Sequence, residues 1–272
     1  MVKKAWLLLF SVWPLLFAAG GAFAQSEREI LVSAAVSLTN TFQEIGDLFK
    51  VRQGGVRVLF NFGASGDLAR QIIGGAPVDV FASASPKDMD DLDQKDLIVK
   101  GTRVNFAGNR VVLITPFRSA FPLTSFHDLT RAEVKRVAIG NPKTVPAGRY
   151  AEEVLKHSHL SDAVKGKLIF AGNARQVLDY VARGEVDAGL VYSTDALVRA
   201  KEIKSVAEAP EQSHSPVVYP IAVVKGTRNE VLAKEFISVV TSREGKTVLE
   251  KYRFGRLARG GRLKKLVAPP SR

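Results

Sequence analysis

Four short stretches of small or hydroxylic residues have the composition to build a site from hydrogen-bond donors. They are Ser37, Ser65, Pro146-Ala147-Gly148 and Asn173-Ala174. Each follows a run of β-forming residues and precedes one with helical periodicity. After Ile30-Leu31-Val32, the small residues Ser33-Ala34-Ala35-Val36 let the backbone be approached closely. Leu38, Phe42, Ile45 and Phe49 then recur at helical steps. At such a turn the first helical N–H groups have no internal acceptor, and the helix dipole favours negative charge. The chemistry on offer is capture of an anion by N–H and O–H donors. Taken singly, each stretch reads as ordinary N-capping.

Other chemistries lack their residues. Neither G-x-x-x-x-G-K-[ST] nor G-x-G-x-x-G occurs, and Gly63-Ala64-Ser65-Gly66 has the wrong spacing for a G-x-S-x-G nucleophile elbow. His127, His157, His159 and His214 all lie outside the four stretches, so Ser37 and Ser65 have no histidine base in the pattern. His157-Ser158-His159 has no accompanying cysteine or H-E-x-x-H. Asp88, Asp90, Asp91 and Asp93 lack the spacing and glycine of an EF-hand loop and read as a solvated helix face. The expectation is a binding protein rather than an enzyme, with no cofactor and no direct metal-ion ligands.

The elements that must position the four turns alternate along the chain. Strands are expected at 30–32, 56–62, 78–82, 110–115, 136–140, 167–170, 188–192 and 217–224, the last interrupted by Pro220. Helices are expected after Ser37 and Ser65, from Ser85-Pro86, through Leu155, after Asn173 as far as Gly184, and near 230–240 and 242–252. A short turn or helix is expected at 124–129. This alternation argues an α/β fold with mostly parallel sheets, and no internal repeat is evident. Residues 107–109 and Tyr219-Pro220 read as two crossings between lobes. A chain that leaves one lobe once and returns once makes a cleft and a two-strand hinge. Lobe 1 is expected at 25–107 plus 223–254 and lobe 2 at 108–222. In such sheets ligands bind at the carboxyl ends of the strands, where all four turns fall.

Composition bounds the setting. At 272 residues and 46% hydrophobic content the chain has room for two lobes. Lys3-Lys4, the apolar run from Ala5 to Phe17 and Ala22-Phe23-Ala24 read as a signal peptide over 1–24, cleaved near Ala24, so export to the periplasm is expected. There is no cysteine, hence no disulfide and no lipid attached through a thiol. The formal net charge of +12 includes Lys3 and Lys4 and six basic residues in 255–272. Without those eight charges the body carries about +4. The basic end reads as a disordered, solvated tail. Export argues against nucleic acid as its partner.

Ala34-Ala35-Val36-Ser37-Leu38-Thr39-Asn40, Phe62-Gly63-Ala64-Ser65-Gly66-Asp67-Leu68-Ala69-Arg70-Gln71 and Gly75-Ala76-Pro77-Val78-Asp79-Val80-Phe81 together carry a resemblance. Val145-Pro146-Ala147-Gly148-Arg149-Tyr150-Ala151, Gly189-Leu190-Val191-Tyr192 and the run from Tyr219 to Val224 complete it, in order, up to about Phe254. The sequence resembles the periplasmic molybdate-binding proteins of ABC transporters. The resemblance implies a two-lobed type II periplasmic binding protein, each lobe a mostly parallel sheet flanked by helices, with the ligand cleft between lobes. It implies a monomer that holds molybdate or tungstate by hydrogen bonds and hands it to a membrane permease. Carried over by motif, the ligands are the hydroxyl and N–H of Ser37 and of Ser65, the N–H groups of Ala147 and Ala174, and the Tyr192 hydroxyl. Ala174 stands where the family is expected to carry valine, and Gly66-Asp67 where it carries further hydroxyls. The rival readings are a receptor for sulfate, phosphate or another oxyanion, and an exported enzyme with Ser37 or Ser65 as nucleophile.

Overall fold

The computed structural model describes residues 28–255 and 257. The expected signal peptide and all but two residues of the basic tail lie outside the described residues. The strands are β1 (Glu29–Ala35), β2 (Arg57–Gly63), β3 (Val80–Ala82), β4 (Val104–Gly108), β5 (Val111–Pro116), β6 (Val137–Gly140), β7 (Leu168–Ala171), β8 (Ala188–Tyr192), β9 (Ile203–Glu208) and β10 (Val218–Val223). The helices are α1 (Thr39–Arg52), α2 (Ser65–Ile73), α3 (Pro86–Asp93), α4 (Pro146–His157), α5 (Ser161–Val164), α6 (Ala174–Ala182), α7 (Ser193–Val198), α8 (Glu230–Thr241) and α9 (Arg243–Lys251).

The strands form two five-stranded sheets, in the orders β2-β1-β3-β10-β4 and β7-β6-β8-β5-β9. Helices flank both, and the architecture is the two-lobed type II binding-protein fold. The two orders are the same pattern written twice, although the sequence carries no repeat. The sheets are mixed rather than mostly parallel. In each, two neighbouring pairs are parallel, while β10 in the first sheet and β5 in the second run antiparallel to both their neighbours. The reversed strand is in each case the one by which the chain enters that lobe. It starts at the interlobe edge and runs outward, whereas the remaining strands run toward that edge.

β4 passes into β5 through Asn109-Arg110, and the chain returns from β9 to β10 through 209–217. Strand pairing therefore puts 218–222 in the first sheet, earlier than the boundary expected at 222. Pro220 sits in an interior strand, where its missing N–H is accommodated by a register shift against β4 between Tyr219 and Pro220. The apolar face expected on α1 is realised: Leu38, Phe42, Ile45 and Phe49 are fully buried. Phe42 and Phe49 pack edge-on against Phe236 of α8 at 5.8 and 5.4 Å between ring centroids. No helix among the described residues is long and apolar enough to cross a membrane.

Candidate functional site

The parallel strands of both sheets end at one place, and a helix starts close behind each end. β1 runs into a single 3₁₀ turn, Val36–Leu38, that continues as α1 and holds Ser37 at its centre. β2 ends at Gly63, and Ser65 is the first residue of α2. β6 feeds the loop 141–145, Pro146 opens α4 and Ala147 is its second residue. Proline at that first position forfeits only an N–H that the helix could not use. β7 ends at Ala171. Asn173 then caps α6, its side chain accepting from the Gln176 N–H at 2.9 Å, and Ala174 is the first helical residue. β8 ends on Tyr192 itself. The N–H groups of Ser65, Ala147 and Ala174 all belong to first turns, which have no acceptor inside their own helix.

All five residues singled out from the sequence line one cavity: Ser37 and Ser65 from the first lobe, Ala147, Ala174 and Tyr192 from the second. The walls stand close together, and the narrow space between them is partly open to solvent. Each of the five is at most 3% exposed. The rest of the lining is small or apolar, and no charged side chain contributes to it. The Tyr192 hydroxyl is buried without a hydrogen-bond partner. Burial, reinforced by the neighbouring Tyr219 and Tyr150, pushes its pKa well above the ordinary value of 10, so the group is a neutral donor at physiological pH. Buried hydroxyls are nearly always hydrogen-bonded, so one without a partner stands out.

Contacts behind the lining hold the donors in place. The Ser65 Oγ accepts from the Ala84 N–H at 3.0 Å. The Ser37 Oγ lies 2.9 Å from the Tyr219 hydroxyl on β10, which in turn lies 3.2 Å from the Asn109 Nδ2. Gly148 is required by close approach: a Cβ there would stand 2.0 Å from the Gly140 carbonyl oxygen, so any side chain would push α4 off β6.

Several contacts join the lobes around the cavity. The Gly66 N–H donates to the Thr144 carbonyl at 3.0 Å. Arg149 on α4 pairs with Asp88 on α3 at 2.6 Å. Arg175 pairs with the fully buried Asp195 at 2.6 Å and donates to the Asn40 side chain on α1 at 3.0 Å. Burial pushes the Asp88 and Asp195 carboxyls above their ordinary range, against the pull of Arg149 and Arg175. The two cations nearest the site donors in sequence are thus each matched by a carboxylate, and neither enters the lining. Asp67 pairs with Arg70 one turn along α2 and stays outside the cavity.

Sequence reasoning does not single out Ala84, Asn109, Arg149, Arg175 or Asp195 as parts of the site, and it marks Asn109 and Tyr219 only as crossing points. The usable signal is the coincidence of those two, since a two-strand hinge brings its crossings side by side.

The family model for bacterial extracellular solute-binding proteins matches residues 30–255. The molybdate-binding protein ModA of Escherichia coli is 39% identical over 257 residues, 93% of this chain and 99% of that protein. A putative ABC transporter substrate-binding lipoprotein of Bacillus subtilis, YvgL, is 38% identical over 260 residues, again 93% of this chain and 99% of that protein. Among solved structures, the periplasmic molybdate-binding protein of Azotobacter vinelandii superposes with a TM-score of 0.77 at 24% identity, covering 84% of this chain and all of that one.

Proposed function

The chain belongs to the bacterial extracellular solute-binding proteins, and on that premise we propose that it captures molybdate, and tungstate with it, in the interlobe cavity and delivers it to an ABC permease. Capture takes place in the periplasm, by a monomer whose lobes close on the anion about the two crossings. The protein contributes no chemistry beyond binding and release. Molybdate is cargo here, bound through its oxygens.

One observation carries this reading: five buried, donor-bearing residues from both lobes line a single cavity free of charged side chains, with the Tyr192 hydroxyl unpartnered. A fully ionised tetrahedral oxyanion has only acceptors, so donors alone satisfy it. Each hydrogen bond to a charged group contributes about 1.5–3 kcal/mol. A handful, less the cost of ordering, reaches the roughly −8 kcal/mol of a micromolar site. Keeping lysine and arginine out of the lining limits the depth of the trap, so release stays accessible.

Thermal melting with molybdate, tungstate, sulfate and phosphate tests the proposal. Molybdate and tungstate are expected to raise the melting temperature, with stabilisation near 2.7 kcal/mol at a hundred times the dissociation constant. An equal shift with sulfate would overturn the assignment of molybdate.

A further inference from the structure

The basic residues at the end of the chain take no part in the cavity. They begin just past residue 255, where the family match stops, so the solute-binding fold does not account for them. Arg256, Arg259, Arg262, Lys264, Lys265 and Arg272 have no acidic residue among them. Leu263, Leu266 and Val267 recur between them at the spacing of one helix face, ahead of Pro269-Pro270. Cations interleaved with such apolar residues suit a surface that is anionic outside and apolar beneath. The structure fixes where this segment is rooted. Gly255 and Gly108 exchange both backbone hydrogen bonds at 2.9 Å, so the root lies on edge strand β4 of the first lobe, next to the hinge crossing. Gly255 and Leu257 line a groove with Phe106 of β4 and with Arg243 and Lys246 of α9. Both of these cations are exposed, and the neighbouring carboxylates Glu244 and Glu44 are taken by Arg52 and Lys251. Glu250 is the one carboxylate in the groove among the described residues. The groove is therefore positive, as is the body as a whole at about +4, so the body repels this segment rather than seating it.

We infer that residues 256–272, together with Arg243 and Lys246, hold the protein on an anionic lipid surface, the headgroup layer of the membrane that carries the permease. The inference rests on the exported, permease-coupled reading above. Export removes nucleic acid as the available polyanion and leaves the membrane. Without cysteine the chain has no lipid attached through a thiol, so charge and the three apolar side chains supply the attachment. Attachment of this kind is reversible and is screened by salt. Extended, the residues after Leu257 reach about 50 Å, roughly the width of a body of this size. The protein can therefore turn its cleft toward a permease while it is held. The root sits on the first lobe alone, so the attachment leaves closure of the second lobe free. Holding the loaded protein in a layer beside the membrane raises its effective concentration at the permease without any new contact to the permease itself.

The test is cosedimentation of the mature chain, residues 25–272, with vesicles of phosphatidylcholine alone or mixed with phosphatidylglycerol. Two variants accompany the wild type: one with Arg259→Gln, Arg262→Gln, Lys264→Gln and Lys265→Gln, the other with Arg243→Gln and Lys246→Gln. All six positions are outside the molybdate cavity. The wild type is expected to sediment with the phosphatidylglycerol vesicles only, and to be released near 1 M salt, where the screening length is about 3 Å. Each cation lost is expected to weaken partitioning about fivefold, so the fourfold variant loses a hundredfold or more and the α9 variant about twentyfold. Melting without ligand and the molybdate dissociation constant, measured on the same samples, are expected to be unchanged in both variants. Equal sedimentation with phosphatidylcholine, no sedimentation at low salt, or variants that partition like the wild type would each overturn the inference. So would tighter binding to a DNA oligomer than to the vesicles, a self-association lost in the fourfold variant, or a lower melting temperature in that variant, which would seat the segment on the body instead. Molybdate binding without vesicle binding overturns the membrane attachment alone. Vesicle binding without molybdate binding overturns the assigned cargo and leaves the attachment standing.

Discussion

Tyr192→Phe separates a ligand-binding hydroxyl from a structural one. The phenol is buried, and its ring stacks edge-on with Tyr150 and Tyr219 at 6.4 and 5.9 Å, contacts that phenylalanine retains. Only the oxygen is removed, and in the structure that oxygen has no partner. The deletion has two effects of opposite sign. In the absence of ligand, losing an unmatched buried polar atom relieves about 1–3 kcal/mol. The melting temperature then holds or rises, by about 2–4 °C for each kcal/mol gained. With molybdate bound, the same deletion removes one hydrogen bond to an anion, about 1.5–3 kcal/mol, or roughly 10–150-fold in the dissociation constant.

Both effects are read in one experiment, a thermal melt with and without molybdate, with calorimetry for the dissociation constant. At a hundred times the wild-type dissociation constant the ligand contributes about 2.7 kcal/mol; for a hundredfold weaker variant the same concentration contributes about 0.4 kcal/mol. Affinity within about twofold of wild type would refute a role for this hydroxyl in binding. A lower melting temperature without ligand would refute the claim that it lacks a structural partner.

The same geometry sets two further outcomes. A Cβ at Gly66 would stand 2.7 Å from the Thr144 carbonyl oxygen of the opposite lobe, a backbone atom with no freedom to yield; Gly66→Ala is therefore expected to weaken molybdate binding by about 5–150-fold, with little change in ligand-free melting, and calorimetry showing unchanged affinity would refute it. Tyr150 is pushed up to about 12 by burial, and burial also raises Tyr192 and Tyr219 above 10. The folded state then holds protons that the unfolded chain releases near pH 10, so stability is full below that point and is lost as pH rises toward the folded values. Three such groups give a slope of about 4 kcal/mol per pH unit; melting temperatures from pH 8 to 12 should fall steeply above 10 and less steeply in Tyr150→Phe, and a flat profile would refute the assignment.

The residues that close on one cavity were legible because strand-turn-helix junctions leave local marks. Asn173 before Ala174 and Pro146 before Ala147 are a helix cap and a first-position proline, both readable without knowing the fold. Four elements were not legible, β4, β9, α7 and the four-residue α5, which is less than two turns long, and each for a physical reason. β9 is an edge strand whose Lys204, Ser205 and Glu208 are solvated, so it has no alternation to read. β4, at the other sheet's edge, holds Asn105 and exposes its first two residues. α7 is a helix of six residues directly after β8, too short to show a period. The supporting shell was hidden for a different reason. Asn109 and Tyr219 are 110 residues apart, and Arg149 and Asp88 are 61 apart. No local pattern reports such pairs, because only the tertiary fold brings them together.

Topology explains why so neutral a cavity can hold a dianion. In each sheet the parallel strands run toward the interlobe edge, so the helix after each one starts there. The positive ends of α1, α2, α4 and α6 are delivered to the same place by strand direction alone. The reversed strands β5 and β10 are the cost of that arrangement, since a chain entering a lobe from the cleft must run against its neighbours. They also put Asn109, just before β5, and Tyr219, on β10, directly behind Ser37. Hinge and binding site are therefore not separate regions joined by a long path. The two crossings between the lobes also carry the groups that hydrogen-bond Ser37 and its partner. Closure brings the α4 and α6 ends of one lobe against the α1 and α2 ends of the other. Two positive ends repel when nothing lies between them and are drawn together by an anion, so a cavity with no cation of its own couples closing to the charge of what it holds.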